Sequence, residues 1–294
     1  MEYLRNITIM NILIIGNVCI DKNTTEKSSY QSAGSPAMFT SRIFRQLPNT
    51  SLTIVSNYGK DFLKYLNGIS IYPSLYKFNR TLLCHNIHLG EGKRIQKVSL
   101  RENTPPVKLD SKLIRIIRLA DVIFFAPLVP NIPASYIRQI LSKANKESLK
   151  ILSASGYFRN FDQEDKIIFR EFKEAYEIVP YFDFVIFSEK EYPNIEKISA
   201  SWVKDNKSVI IITKAERGAK FLKRNGKMDV PTKPVAEKDI VDSTGSGDIF
   251  SACFAYKYFK CKDIVESIKF AHKVAGYCLG FTPDEINLDV HKIT

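Results

Sequence analysis

The stretch that decides the reading of this chain is Val241-Asp242-Ser243-Thr244-Gly245-Ser246-Gly247-Asp248-Ile249-Phe250. Two glycines flank a small residue, acids stand on both sides, and apolar residues follow at Ile249, Phe250, Cys253, Phe254 and Tyr258. That order reads as a tight turn opening a helix. The first amides of a helix have no partner inside it and can bind an anion, and glycine lets the backbone approach closely. Asp248 is out of place in an anion site unless it takes a proton from the group that attacks the anion. Read plainly, it is a first-turn acid worth about 0.3–1 kcal/mol against the helix dipole.

Around that turn lies a chain of 294 residues, 45% of them hydrophobic and 25% charged, enough for a sizeable core and unlike a disordered segment. The formal net charge of +12 favours anionic partners. No run of five or six basic residues occurs, which argues against nucleic acid as the main partner. Cys19, Cys84, Cys253, Cys261 and Cys278 are far apart, odd in number and without a CxxC pair. They predict a reduced, cytoplasmic protein without a zinc site. The apolar run at 12–15 is too short to span a bilayer, and no cleavable signal pattern is present. Residues 1–9 read as an extension or a misplaced start.

Buried strands are predicted over 11–15, 52–55, 122–125, 150–152, 184–187 and 209–213, and helices over 37–47, 110–119, 133–141 and 264–279. Their alternation predicts an α/β fold with a mostly parallel sheet between helices on both faces. Ligands of such sheets bind beyond the carboxyl ends of the strands, where Asp21, Thr213 and Gly245 would converge. Two segments, 20–32 and 81–100, break the rhythm. They read as a small antiparallel sheet, turned at Gly90 and Gly92, that serves as a lid; the alternative is a surface hairpin without function. Asn225-Gly226 between two apolar runs predicts a hairpin.

The motif resembles the C-terminal signature D-T-x-G-A-G-D-x-F of the ribokinase-like (PfkB) sugar kinases, with Ser243 and Ser246 as conservative departures. Further matches cover nearly the whole chain. The opening Gly16-Asn17-Val18-Cys19-Ile20-Asp21 is similar to the family's first strand and substrate aspartate. Ala33-Gly34-Ser35-Pro36-Ala37 stands at its double glycine. Ser188-Glu189-Lys190-Glu191 resembles N-x-x-E, and Thr213-Lys214-Ala215-Glu216-Arg217-Gly218 resembles T-x-G-x-x-G, with Ala215 at the middle glycine.

The resemblance implies a single ribokinase-like three-layer α/β/α domain over residues 1–294, with a β-sheet lid, that phosphorylates an alcohol with ATP and Mg2+. Asp248 would be the base, and the amides of Gly245, Ser246 and Gly247 the anion hole. Ser188, Thr213, Ala215, Gly218 and His272 would hold the nucleotide. Glu191 would hold the metal through water, and Asp242 would serve the cation environment. For the acceptor, Asp21, Asn23, Gly34, Ser35, Arg94, Gln96 and Arg159 are the candidates. Plainer readings make Asp21 a solvated turn residue, Glu191 a helix N-terminal acid, Arg94 and Arg159 surface charges, and His272 a packing residue.

Gly92-Lys93-Arg94-Ile95-Gln96 and Gly156-Tyr157-Phe158-Arg159, with the opening motif, resemble the inositol kinase branch and make a cyclitol or sugar the expected acceptor. A nucleoside kinase stacking its substrate on Tyr30, Phe39 or Phe158 stands as an alternative, as does a polyol-binding regulator without turnover. The expected partners are a small-molecule acceptor and at most a second copy of the chain, with no nucleic acid and no membrane.

Overall fold

The computed structural model describes residues 9–25, 28–89 and 94–288. The turn at Gly90 and Gly92, Lys93, and residues 1–8 of the suggested extension lie outside them. In chain order the first half comprises β1 (Met10–Gly16), β2 (Cys19–Thr24), β3 (Ser29–Gly34), α1 (Pro36–Phe44), β4 (Thr50–Val55), β5 (Ile71–Tyr72), β6 (Leu83–His88), β7 (Arg94–Ser99), α2 (Ser111–Leu119), β8 (Val122–Ala126), α3 (Ala134–Leu141) and β9 (Leu149–Ser153). The second half adds β10 (Arg159–Phe161), β11 (Ile167–Phe169), α4 (Ala175–Ile178), β12 (Phe184–Ser188), α5 (Ile195–Trp202), β13 (Val209–Thr213), β14 (Ala219–Lys223), β15 (Gly226–Val230), α6 (Ser246–Cys261) and α7 (Ile264–Cys278).

Nine strands form the main sheet in the order β15-β14-β13-β12-β9-β8-β1-β4-β5. From β13 to β5 every neighbouring pair is parallel; β14 and β15 add the antiparallel hairpin expected around Asn225-Gly226. Alternation along each strand sorts side chains to two faces. Ile12 and Ile14 of β1 and Phe124 of β8 pack with α1, α6 and α7. Leu13, Ile15, Ile123 and Phe125 pack with α2, α3, α4 and α5 on the other side. These strands are apolar on both faces because both are covered. Their spacing explains the helices too: α2 buries Leu113 and Ile117, four residues apart, and starts where Asp110 accepts from the Leu113 amide at 2.8 Å.

The two segments that broke the rhythm form a separate four-stranded sheet in the order β3-β2-β6-β7. It is mixed, not antiparallel as expected: β2 and β6 run parallel. The reason lies in the chain path. β2 and β6 are joined through α1, β4 and β5, and a connection of that length can return a strand in the same direction, whereas a hairpin cannot. Cys19, Cys84 and Val98 of this sheet pack on Leu128 and Val129, which follow β8. Helix α1 ends at Phe44, short of the expected 47, with its last residues in tighter turns. All five cysteines are free thiols, and no described helix is long and apolar enough to cross a membrane.

Candidate active site

The parallel sheet sends the ends of β9, β12 and β13 to one side. There Ser153, Ser188 and Thr213 line a cleft of about 300 Å³ together with Arg94, Ser155, Arg159, Glu191 and the first turn of α6. Gly245 caps that helix with φ 76°, a left-handed backbone that glycine adopts without strain. A Cβ there would also meet the Phe39 ring at 2.8 Å. The Ser246 amide donates to the Ser243 carbonyl at 3.2 Å, so the turn itself uses one of the three amides expected to bind an anion. Gly247 is exposed, with open space where a Cβ would stand.

Asp248 follows in the first turn, half-buried and facing the cleft. Burial pushes its carboxyl from the ordinary 3.8 up to about 7; Arg159 pulls it down and the negative charge of Glu191 pushes it up. Arg159 acts in the same sense on Glu191 and on Asp21. One half-buried guanidinium thus serves three acids, and it is fixed by donating from Nη1 to the Leu128 carbonyl at 3.1 Å. Arg159 is therefore not an isolated surface charge, whereas Arg94 is exposed, though it lines the same cleft.

Glu191 lies in the loop between β12 and α5, four residues before the first helical residue, so it is not a helix N-terminal acid. It accepts from Ser155 Oγ at 2.6 Å, and burial raises its carboxyl above the usual range. Among the described residues, no cluster of three or more His, Cys, Asp or Glu forms a metal cage. A carboxylate beside a hydroxyl suits magnesium, which keeps much of its water and takes other oxygens from phosphates.

Asp21 is a strand residue and not a solvated turn residue. It is 6% exposed on β2, and burial raises its carboxyl to about 6 against the pull of the Cys19 thiol, Arg94, Arg42 and Arg159. Cys19 Sγ donates to its Oδ1 at 3.2 Å. Gly34 lies on it so closely that a Cβ at 34 would occupy the position of the carboxylate. Ser35 caps α1 by accepting from the Met38 amide at 3.2 Å, and does so at φ 101°, a backbone unusual for a side-chain-bearing residue. Asn23 and Gln96 stand on the same face of the small sheet as Asp21 and Arg94. They are joined through Asn86, a residue the sequence reading overlooked because a lone asparagine in a strand carries no pattern.

A second cleft, of about 430 Å³, shares Ser188, Thr213, Ser243, Ser246 and Gly247 with the first. Ala215, Val235, Ile240, His272, Ala275 and Leu279 make its far part largely apolar. The loop after β13 holds Ala215 at φ 48° and Gly218 at φ 93°. His272 packs on Phe250 with ring centroids 4.8 Å apart, and burial lowers its ring to about 4, so it is neutral at pH 7. Its Nε2 is buried without a protein partner. Asp242 lines neither cleft; its Oδ1 accepts from the Thr244 amide at 2.7 Å and shapes the turn. The aromatic platforms for a nucleoside are mostly not available: Phe158 is fully buried between Phe172 and Phe187, and Phe39 is buried under Gly245. Tyr30 alone of the three is open, at 51% exposed.

The profile of the pfkB family of carbohydrate kinases matches residues 100–280. The chain belongs to that family. An uncharacterized sugar kinase of Archaeoglobus fulgidus is 45% identical over 56 residues, 19% of this chain and 22% of that protein. A deoxyribokinase of Salmonella typhi is 33% identical over 86 residues, 29% of this chain. The chain spans only 22% and 27% of the length of these curated relatives. In fold it is similar to a pyrophosphate-dependent kinase in the ribokinase family, with TM-score 0.73 and 18% identity over 91% of this chain and 95% of that one. It is equally similar to the ribokinase of Thermotoga maritima, with TM-score 0.72 and 14% identity over 97% and 99% of the two chains. The fold is thus ribokinase-like: a large, mostly parallel sheet between helices, with a small separate sheet.

Proposed function

We propose that this pfkB-family chain transfers the terminal phosphoryl group of ATP to a hydroxyl of a small sugar or cyclitol, with myo-inositol or a related polyol as the acceptor. The observation that carries this reading is Asp248: an acid lining one cleft, its carboxyl raised to about 7 by burial, beside the open helix start that the second cleft shares. A base works best when its pKa lies near the working pH. In this reading the acceptor lies in the first cleft, beneath the small sheet acting as a lid, and gives its hydroxyl proton to Asp248. The amides of Gly245 and Gly247 and the guanidinium of Arg159 stabilise charge on the phosphoryl group in flight. Removing one such preorganised donor costs about 3–4 kcal/mol of barrier. Glu191, held by Ser155, would hold a magnesium ion through its water. When bound, that ion neutralises charge on the donor phosphates.

The second cleft supports a nucleotide as donor. Its apolar far part, with Val235, Ala275 and Leu279, would have no task if the donor were pyrophosphate. One assay decides both points: consumption of ATP or of pyrophosphate with myo-inositol, ribose, fructose, 2-keto-3-deoxygluconate, adenosine and cytidine as acceptors. Turnover with a polyol and ATP is expected. Turnover with pyrophosphate alone overturns the donor, a preference for adenosine or cytidine overturns the acceptor class, and no turnover with any pair overturns the kinase reading in favour of a binding protein.

A further inference from the structure

Across the small sheet, Tyr30, Asn23, Asn86 and Gln96 stand opposite one another in one row, a strand each. The neighbouring row contains Ser32, Asp21, Cys84 and Val98. Residues opposite each other in paired strands share a face, so the amide row lies on the face of Asp21. Arg94, two residues before Gln96, is on that face as well and lines the first cleft.

Asn86 is 2% exposed. Its Nδ2 donates to Asn23 Oδ1 at 3.0 Å, and its Oδ1 accepts from Gln96 Nε2 at 2.8 Å. The Cys84 thiol donates to the same Oδ1 at 3.7 Å. A side-chain amide has one acceptor end and one donor end. With Asn86 in this orientation, Asn23 has its Nδ2 to spare and Gln96 its Oε1. If either turned its amide over, two like ends would meet in a buried place, at the full cost of an unmade hydrogen bond.

We propose that Asn86 is a positioning residue that sets the polarity of the acceptor site, so that Asn23 presents a hydrogen-bond donor and Gln96 an acceptor to two separate hydroxyls of the polyol. This rests on the acceptor class proposed above and adds its recognition code. Asp21, an acceptor when ionised, takes a third hydroxyl. An acceptor that lacks one of these hydroxyls leaves a site amide unpaired, and a site built for a hydroxyl discriminates strongly against its absence.

The test is calorimetric binding of myo-inositol and ribose, each against its singly deoxygenated analogues, to wild-type protein, Asn86→Leu and Asn86→Asp. Binding needs no turnover, so the result stands apart from the kinase assay. Asn86→Leu releases both neighbouring amides. Asn86→Asp offers two acceptor ends and obliges Asn23 to turn its Nδ2 inward. Wild type is expected to disfavour at least one deoxy analogue about tenfold or more, the equivalent of one hydrogen bond. Both variants should lose that discrimination. A residue that only supported the sheet would weaken all analogues alike. Discrimination within twofold of wild type in a variant that melts cooperatively overturns the proposal, as does a wild type that binds neither parent polyol.

Discussion

A carboxylic acid held near pH 7 by its surroundings is part ionised at neutral pH, and that state has consequences for both rate and stability. If Asp248 is the base, turnover rises with pH through about 7 as it loses its proton. Asp248→Asn should keep acceptor and ATP binding while kcat falls by about 10²–10⁴; unchanged kcat removes Asp248 from the reaction. Arg159→Ala removes a cation that favours the ionised form. It should therefore move the rising limb of the pH–rate profile to higher pH, and a limb that stays in place would contradict the shared guanidinium. Stability runs the other way. The folded-state pKa of Asp248 lies above its unfolded value of 3.8. The folded protein therefore holds a proton that the unfolded chain has lost, and stability falls as pH rises from about 4 to about 7. In thermal melts Asp248→Asn should exceed wild type at pH 8 and match it below pH 4. The acid was legible in the sequence because its motif is contiguous. Its raised pKa was not, since that comes from burial in the folded cleft, with Glu191 adding to the shift and Arg159 opposing it, and none of these is written in the motif.

At the scale of elements, the loop after β13 has a visible imperfection. Ala215 sits at φ 48° where the related pattern has glycine. A left-handed backbone costs a residue with a Cβ roughly 1–2 kcal/mol. The loop is held in place from outside: Lys214 pairs with Glu196 at 3.4 Å and with Asp229 at 3.1 Å, and Arg217 pairs with Glu189. Ala215→Gly should therefore raise stability by about 1 kcal/mol, less the entropy that glycine adds to the unfolded chain. A lower melting temperature would show that the loop is not strained. The parallel strands β1, β4, β8, β9, β12 and β13 were legible because each contains a short apolar run, whereas β5, with only two residues, was missed. The α5 helix and the β10–β11 hairpin were missed: the first has a serine, Ser199, between its buried Ile195 and Trp202, which breaks the apolar stripe, and the second buries too little to imprint alternation. The direction of β6 was illegible for a different reason. Whether a strand pairs parallel or antiparallel depends on the path between partners, and no local pattern encodes that.

For the molecule as a whole, the clefts draw on residues from Pro36 to Leu279, most of the length of the described chain. The small sheet touches the main body through a compact apolar contact made by Cys19, Cys84, Val98, Leu128 and Val129. If it works as a lid, a bound polyol should slow amide exchange in β2, β3, β6 and β7 more than in β14 and β15. Equal protection everywhere would count against a moving lid. The net charge of +12 adds a global effect. Attraction of a polyanionic donor weakens as salt shortens the range of the field, so the KM for ATP should rise with ionic strength more steeply than the KM for an uncharged polyol.

The hairpin at the sheet's edge has a practical corollary. β13 ends at the clefts with Thr213, β14 runs away from them, and β15 returns towards them. The turn between β14 and β15 therefore stands at the opposite pole of the sheet from the chemistry, with Arg224 and its neighbours exposed. A dye or a surface tether attached there would hold the molecule with its clefts turned outward.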